Sequence, residues 1–409
     1  MSRFTARIDP DGLLASTMLA FLATAGMFYV NIMAALVDGL VTGLGFSNAQ
    51  AGNVVSANVY GAAVGALVAV FTVKRLRWRA AAWSLLAGLI VIDAVSMAIH
   101  QASLLAAARA LHGALGGLLV GVAYSVMARL PKPDRAFGML LVVQYGLGGL
   151  GNMWLPKLVP AYGAGILFVA LVAFSVVALA MLACIPKYAR RDASAEPGSA
   201  PMSASARSAG APSANGAAAK DPAIYPAVLI VSAVMAMFLF QAGNMGLGAY
   251  ILGLARHDGL DADFASNALG YATWIGMLGA VACVMLGTRK GRFAPLLAAM
   301  VLALVGTYAF HYSQSAFVYA LANSGTAIMW AFVVPYLFGM CAQMDRDGQL
   351  AVLCGFSSKM GLATGPFLAG RLLANDDYGL LVDATLGVLA LAAVLAIATA
   401  RALDRRASA

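Results

Sequence analysis

Apolar side chains fill this chain in long blocks, punctuated by Gly, Pro or charged positions. Within a block no face is kept polar. Stretches such as Leu85 to Val95 and Leu386 to Leu395 run almost unbroken. A one-sided helical stripe and the ten-residue alternation of a membrane barrel strand both fail to fit. The punctuation predicts helices over 13–42, 47–71, 80–99, 103–128, 136–158, 165–185, 224–254, 264–286, 294–312, 316–341, 349–372 and 380–400. Crossing a bilayer core takes about 20 mostly apolar residues, so the expectation is an all-α polytopic membrane protein with twelve transmembrane helices. The first block is about twice the length of a signal-peptide core and no cleavage site follows it, which reads as a retained helix.

One stretch breaks the pattern. Between the sixth and seventh blocks lies a run of Ala, Ser, Pro and Gly, which predicts an N-terminal six-helix bundle (1–186), a flexible linker (187–223) and a C-terminal six-helix bundle (224–409). Composition agrees with the membrane reading: 62% of residues are hydrophobic and only 11% charged, against about 25% in a soluble domain. The net charge of +9 would suggest nucleic acid if its sources were clustered on one surface. They are not. With the N-terminus placed in the cytoplasm, 21 Lys and Arg fall in cytoplasmic segments, three (Lys157, Arg256, Arg371) in outer loops and two (Arg109, Lys359) inside helices. That bias predicts cytoplasmic termini and linker, and leaves no case for a nucleic-acid partner. The four cysteines stand in apolar stretches without ligand spacing, which points to core packing, not to disulfides or a metal.

Offsetting the C-terminal half by 214 residues superposes the second block on the eighth: Asn53 falls on Asn267, Tyr60 on Trp274, Gly65 on Gly279 and Arg75 on Arg289. Near the first and seventh blocks an offset of 210 pairs FYVN (28–31) with FLFQ (238–241). Internal repeats of this size about a central linker belong to transporters. The chain resembles the major facilitator superfamily along its whole length. Arg109-Ala-Leu-His112-Gly113 is similar to that family's Arg-x-x-x-Gly element, and GLGGLGNMWLP (146–156) and TGPFLAG (364–370) are similar to its Gly-rich elements. The family's loop signature, Gly-x-x-x-Asp-Arg-x-Gly-Arg-Arg, is degenerate here. VFTVKRLRWR (70–79) keeps only the basic cluster, and LGTRKGR (286–292) keeps Gly287, Arg289, Gly291 and Arg292 without an acid. The resemblance implies a cytoplasmic gate at Arg75, Arg77, Arg289 and Arg292, with a latch weaker or differently built for want of its carboxylate. Drug/proton antiporters resemble the full signature more closely.

Ionisable groups inside hydrocarbon are costly and mark function or pairing. Lys359 stands about ten residues into its helix, close to the bilayer midplane; it reads as an anion contact or proton carrier, or as one side of an ion pair. Arg109 suits bidentate carboxylate binding, or a fixed pair with Asp93 at similar depth. Asp93, the deepest carboxylate, is the leading candidate for proton coupling; Asp38 near the far mouth and His112 one turn from Arg109 are further candidates. Asn31 and Gln241 occupy equivalent places in the first and seventh helices, with Tyr29 and Asn244 close by, and Gln144 adds another amide. These suit substrate hydrogen bonding or glue between helices.

No P-loop, dinucleotide fingerprint or nucleophile elbow stands in a strand-turn-helix context, so no enzyme activity and no cofactor is expected. The expectation is a monomeric secondary transporter in a bacterial inner membrane, moving a small organic solute, with some preference for an anion, by proton symport. An efflux pump and a non-transporting receptor of the same fold are the alternatives.

Overall fold

In a computed structural model of the chain, the described residues are 9, 12–73, 75–130, 133–185, 225–287, 291–345 and 349–408. They form helices α1 (Leu13–Ala25), α2 (Phe28–Asn31), α3 (Met33–Leu44), α4 (Asn48–Thr72), α5 (Trp78–Ser96), α6 (Ala102–Met127), α7 (Pro133–Tyr162) and α8 (Gly165–Cys184). After the residues assigned to the linker come α9 (Ala227–Ala249), α10 (Ile251–His257), α11 (Ala262–Leu286), α12 (Phe293–Tyr308), α13 (Ala316–Met344), α14 (Gln349–Leu372) and α15 (Tyr378–Ser408). Among the described residues ten helices are long and apolar enough to cross a membrane. Large apolar side chains such as Val91, Leu111, Leu278 and Val394 stand exposed on helix surfaces, where a soluble protein would place charge.

The first predicted helix departs most from expectation. It is interrupted at Gly26–Met27 and again at Ile32, giving α1, α2 and α3. Gly26 sits where this helix crosses α6: a Cβ there would lie 2.3 Å from the carbonyl oxygen of Gly116. The second break leaves the Asn31 carbonyl to accept from Asn152 Nδ2 at 3.1 Å, so a side chain replaces the lost helical bond. The seventh block likewise divides into α9 and α10 at Tyr250. The predicted linker and Arg289 lie outside the described residues.

Helices α1–α8 pack mainly on one another, as do α9–α15, and the two sets meet along two seams, α4 against α14 and α7 against α11. Helix direction gives the molecule two ends. The near end carries Ile185 and Tyr225, which flank the linker; Arg79 donates to the Ile185 carbonyl there at 2.6 Å. Buried apolar residues divide accordingly. One cluster, including Val54, Val55, Leu247, Ile251, Ala363 and Leu381, fuses both sets towards the far end. The other two clusters each belong to a single set. The sets are therefore bonded at the far end and separate at the near one.

Candidate functional site

Between the sets lies a cavity of about 1090 Å³, whose walls run to the near-end residues Val73, Ala128, Phe137 and Gln349. Among the expected site residues, Asn31, Gln144, Gln241, Asn244 and Lys359 line it. The amides are held in place. Trp330 Nε1 donates to Gln241 Oε1 at 2.7 Å, and Gln241 Nε2 donates to Ser358 Oγ at 2.8 Å, which ties α9, α13 and α14 together. Asn244 Nδ2 donates to the Phe240 carbonyl on its own helix at 2.8 Å. Gln144 Nε2 lies 2.9 Å from Met27 Sδ, at the first break in the chain's opening helix. Asn31 Nδ2 is buried without a hydrogen-bond partner among the described residues.

Lys359 is the only charged side chain among the described cavity-lining residues, and none of the others there is an acid. Among the described residues it also forms no ion pair. An ammonium of this kind inside a membrane protein favours an anion arriving in the cavity.

Arg109, also expected as a substrate contact or as a fixed partner of Asp93, stands away from the cavity. Both Arg109 and Asp93 are fully buried, and neither lines the cavity. Arg109 Nη1 donates to Asp93 Oδ1 at 2.6 Å; Nη2 donates to Ser96 Oγ at 2.5 Å and to the Ile92 carbonyl at 3.2 Å. The rings of Phe168 and Tyr29 cover the guanidinium at 5.1 and 5.9 Å. Tyr29, another expected substrate contact, thus packs on this cluster and is not among the residues lining the cavity, and its hydroxyl is buried without a hydrogen-bond partner among the described residues.

His112 joins the cluster from one turn further along α6, its Nε2 being 3.3 Å from Asp93 Oδ1. Asn58 of α4 donates from Nδ2 both to His112 Nδ1 at 2.8 Å and to the Arg109 carbonyl at 3.2 Å. The carbonyl fixes which way the Asn58 amide points. Nδ1 therefore accepts, and the imidazole proton sits on Nε2, facing Asp93, as in a neutral ring. Close packing of α4 on α6 makes this contact: a Cβ at Gly113 would stand 1.8 Å from the Asn58 carbonyl oxygen. Asn58 itself lines the cavity, so its amide links that space to the buried charges. Sequence reading passed over Asn58 and Ser96. The four-residue spacing of Gly61, Gly65, Gly113 and Gly117 was the available signal, since small residues so spaced mark helix contacts in membranes.

Asp38, a further candidate for proton coupling, lies away from the cavity and pairs with Arg256 of the other set. Other bonds across the far end run from Asn48 Nδ2 to Asp376 Oδ1 (2.9 Å), Arg371 Nη1 to Asn53 Oδ1 (3.0 Å) and Lys157 Nζ to Asn267 Oδ1 (2.8 Å). At the near end, the expected gate residue Arg292 bonds within its own set. Its side chain donates to Gln343, and Asp404 accepts from the backbone N–H groups of Arg292 and Phe293. Asp404 supplies here a carboxylate that the loop signature lacks, at a helix N-terminus that favours negative charge. Arg77 is the residue preceding α5, and Arg75 stands exposed two residues before it.

The model of the Major Facilitator Superfamily matches residues 16–344. No curated protein matches the sequence. Among solved structures, the nucleoside transporter NupG superposes with a TM-score of 0.69 at 11% identity, covering 95% of this chain and 98% of its own. The human organic anion transporter MFSD10 (TETRAN) superposes with a TM-score of 0.60 at 17% identity, covering 94% of this chain and 97% of its own. At these identities the likeness is one of fold.

Proposed function

The chain belongs to the Major Facilitator Superfamily, and from that premise we propose that it is a monomeric secondary transporter that carries a small organic anion with a proton across a bacterial inner membrane. The observation behind this reading is Lys359, an unpaired cation in a cavity with no acidic lining among the described residues. A carboxylate or sulfonate entering there gains a charge-assisted hydrogen bond. An ammonium compound or a zwitterion meets a like charge and no acid to pair with. The cavity volume of about 1090 Å³ suits a solute of drug or metabolite size. A solved neighbour named for organic anions lends this reading support, while one named for nucleosides warns that fold does not fix substrate.

On this reading the two six-helix bundles rock about the cavity, and the basic loops keep the linker and both termini in the cytoplasm. The near end is then the cytoplasmic one, and the conformation is open inward. Arg75, Arg77, Arg289 and Arg292 would form the gate when that end closes, and Asp38 with Arg256 belongs to the outer gate. The proton site is Asp93, reached through His112 and Asn58. Asn31, Gln144, Gln241 and Asn244 orient the solute.

Uptake of labelled organic anions into proteoliposomes tests this. Saturable uptake driven by an inward proton gradient is expected, with at least about a tenfold loss for Lys359→Met, the worth of one charged hydrogen bond. Anion uptake unaffected by Lys359→Met would sink the anion reading; uptake indifferent to the gradient would sink the coupling.

A further inference from the structure

The far end holds two bonds of one kind. Arg371 of α14 donates to the amide oxygen of Asn53 on α4, and Lys157 of α7 donates to the amide oxygen of Asn267 on α11. Each cation comes from the far-end portion of one helix, and each amide from the opening turns of a helix in the other set. The offset of 214 that carries Asn53 onto Asn267 also carries Lys157 onto Arg371. The second bond is therefore the first with the two sets exchanged. Each cation also lies over an aromatic ring of its own helix: Arg371 over Phe367 at 3.6 Å and Lys157 over Trp154 at 5.7 Å. The two bonds stand on the two seams, α4 with α14 and α7 with α11.

We infer that Asn53–Arg371 and Lys157–Asn267 are the two symmetry-related halves of one reversible latch that holds the far end shut. The chemistry suits a bond that must break in every cycle. A cation bound to a neutral amide leaves no buried carboxylate orphaned when it parts; the one acid nearby, Asp263, pairs with Lys157 at 3.9 Å but is exposed and stays in water. Water replaces either partner at these solvent-accessible sites. The surrounding contacts are not repeated in the same way. Asp38–Arg256 and Asn48–Asp376 have no counterpart under the offset, and Asp263, 3.9 Å from Lys157, falls on Ala49. Both seams must part for the far end to open, so each bond should weigh equally and their effects should multiply.

The test uses the full-length protein in lipid nanodiscs, spin-labelled at Gln101→Cys and Gln314→Cys, two exposed far-end positions in different sets, with the native cysteines replaced. Pulsed dipolar spectroscopy then reads the populations of closed and open far ends. Arg371→Met and Lys157→Met, which remove the donor, should each raise the open fraction relative to the closed by about threefold to tenfold, and the double variant by the product. Arg371→Lys and Lys157→Arg, which keep an N–H donor, should leave the distribution unchanged. Asn53→Leu and Asn267→Leu, which remove the acceptors, should reproduce the two shifts, and Asn53→Arg combined with Arg371→Asn should restore closure. If neither cation variant moves the distribution, or only one does, or the double shifts no further than a single, the inference fails. It stands or falls apart from the substrate reading, since no solute is needed.

Discussion

Arg109 and Lys359 carry the same charge inside the membrane, one in each set of helices, and the molecule treats them oppositely. Arg109 is sealed from solvent, bonded to Asp93, Ser96 and the Ile92 carbonyl, and roofed by two aromatic rings. Lys359 faces the cavity, and no carboxylate among the described residues pairs with it. Desolvation is costly for both groups, but only one is compensated by the protein itself. The paired charge holds α5 to α6. The unpaired one leaves an interaction for something else to complete. What separates the two charges here is therefore the partner, not the depth.

Removing the compensation gives the largest expected effect. Arg109→Met leaves Asp93 buried with only His112 beside it, and breaking a buried pair from one side costs about 3–5 kcal/mol. Asp93→Asn should fall in the same range, because the guanidinium is then the uncompensated group. Replacing both, by Asp93→Leu with Arg109→Met, should recover most of the loss, since no charge remains to be desolvated. Thermal melting of the purified protein measures all three. A single variant that melts with the parent would mean the pair is not the brace described. If the double variant recovers stability but loses the response of transport to a proton gradient, Asp93 serves coupling as well.

The contrast between the two cations also marks how far the sequence could be read. Scarcity of charge made every intramembrane ionisable residue visible, and the apolar blocks gave most helix bounds to within a turn, although the first and seventh blocks are broken and the last helix runs on to Ser408. Arg109 and Lys359 were both found that way, with function and pairing left open for each. Pairing depends on which helix faces touch, and a helix that is apolar all round carries no stripe to say which face that is. Asp93 was named as a possible partner of Arg109 from depth alone; Asn58, Ser96 and the roofing Phe168 lie on faces that only packing reveals. The breaks at Gly26 and Ile32 were equally hidden. They arise from a close crossing with Gly116 and from a bond supplied by Asn152, both remote in sequence.

A smaller effect is expected in the neutral network beside Lys359. Gln241→Leu deprives Trp330 and Ser358 of their partners, and side-chain bonds between membrane helices are each worth about 0.6–1.7 kcal/mol. Melting should drop by about 1–3 kcal/mol equivalent, less than for Arg109→Met, because no charge is left stranded. Gln241→Glu keeps the shape but adds a carboxylate to the wall of the cavity that Lys359 also lines. It should preserve more of the fold than leucine while opposing an entering anion. A loss of stability from Gln241→Leu equal to that from Arg109→Met would remove the distinction between charged brace and neutral glue.

The smallest effect on the empty protein should come from Lys359→Met. The ammonium bonds no carboxylate among the described residues, so its removal breaks no ion pair there, and methionine fills a similar volume along the cavity wall. Because the desolvation of this ammonium is uncompensated, the empty variant should melt at or above the parent, never far below it. The ligand-bound protein should behave differently. At a hundredfold excess over its Kd, a bound anion stabilises the parent by about 2.7 kcal/mol. In the Lys359→Met variant that increment should largely vanish while neutral solutes are unaffected. Melting with and without a panel of monocarboxylates and their uncharged amides reads both numbers at once. A variant that is strongly destabilised when empty would show Lys359 to be a second brace like Arg109. One that keeps the full carboxylate increment would show that the anion is held elsewhere.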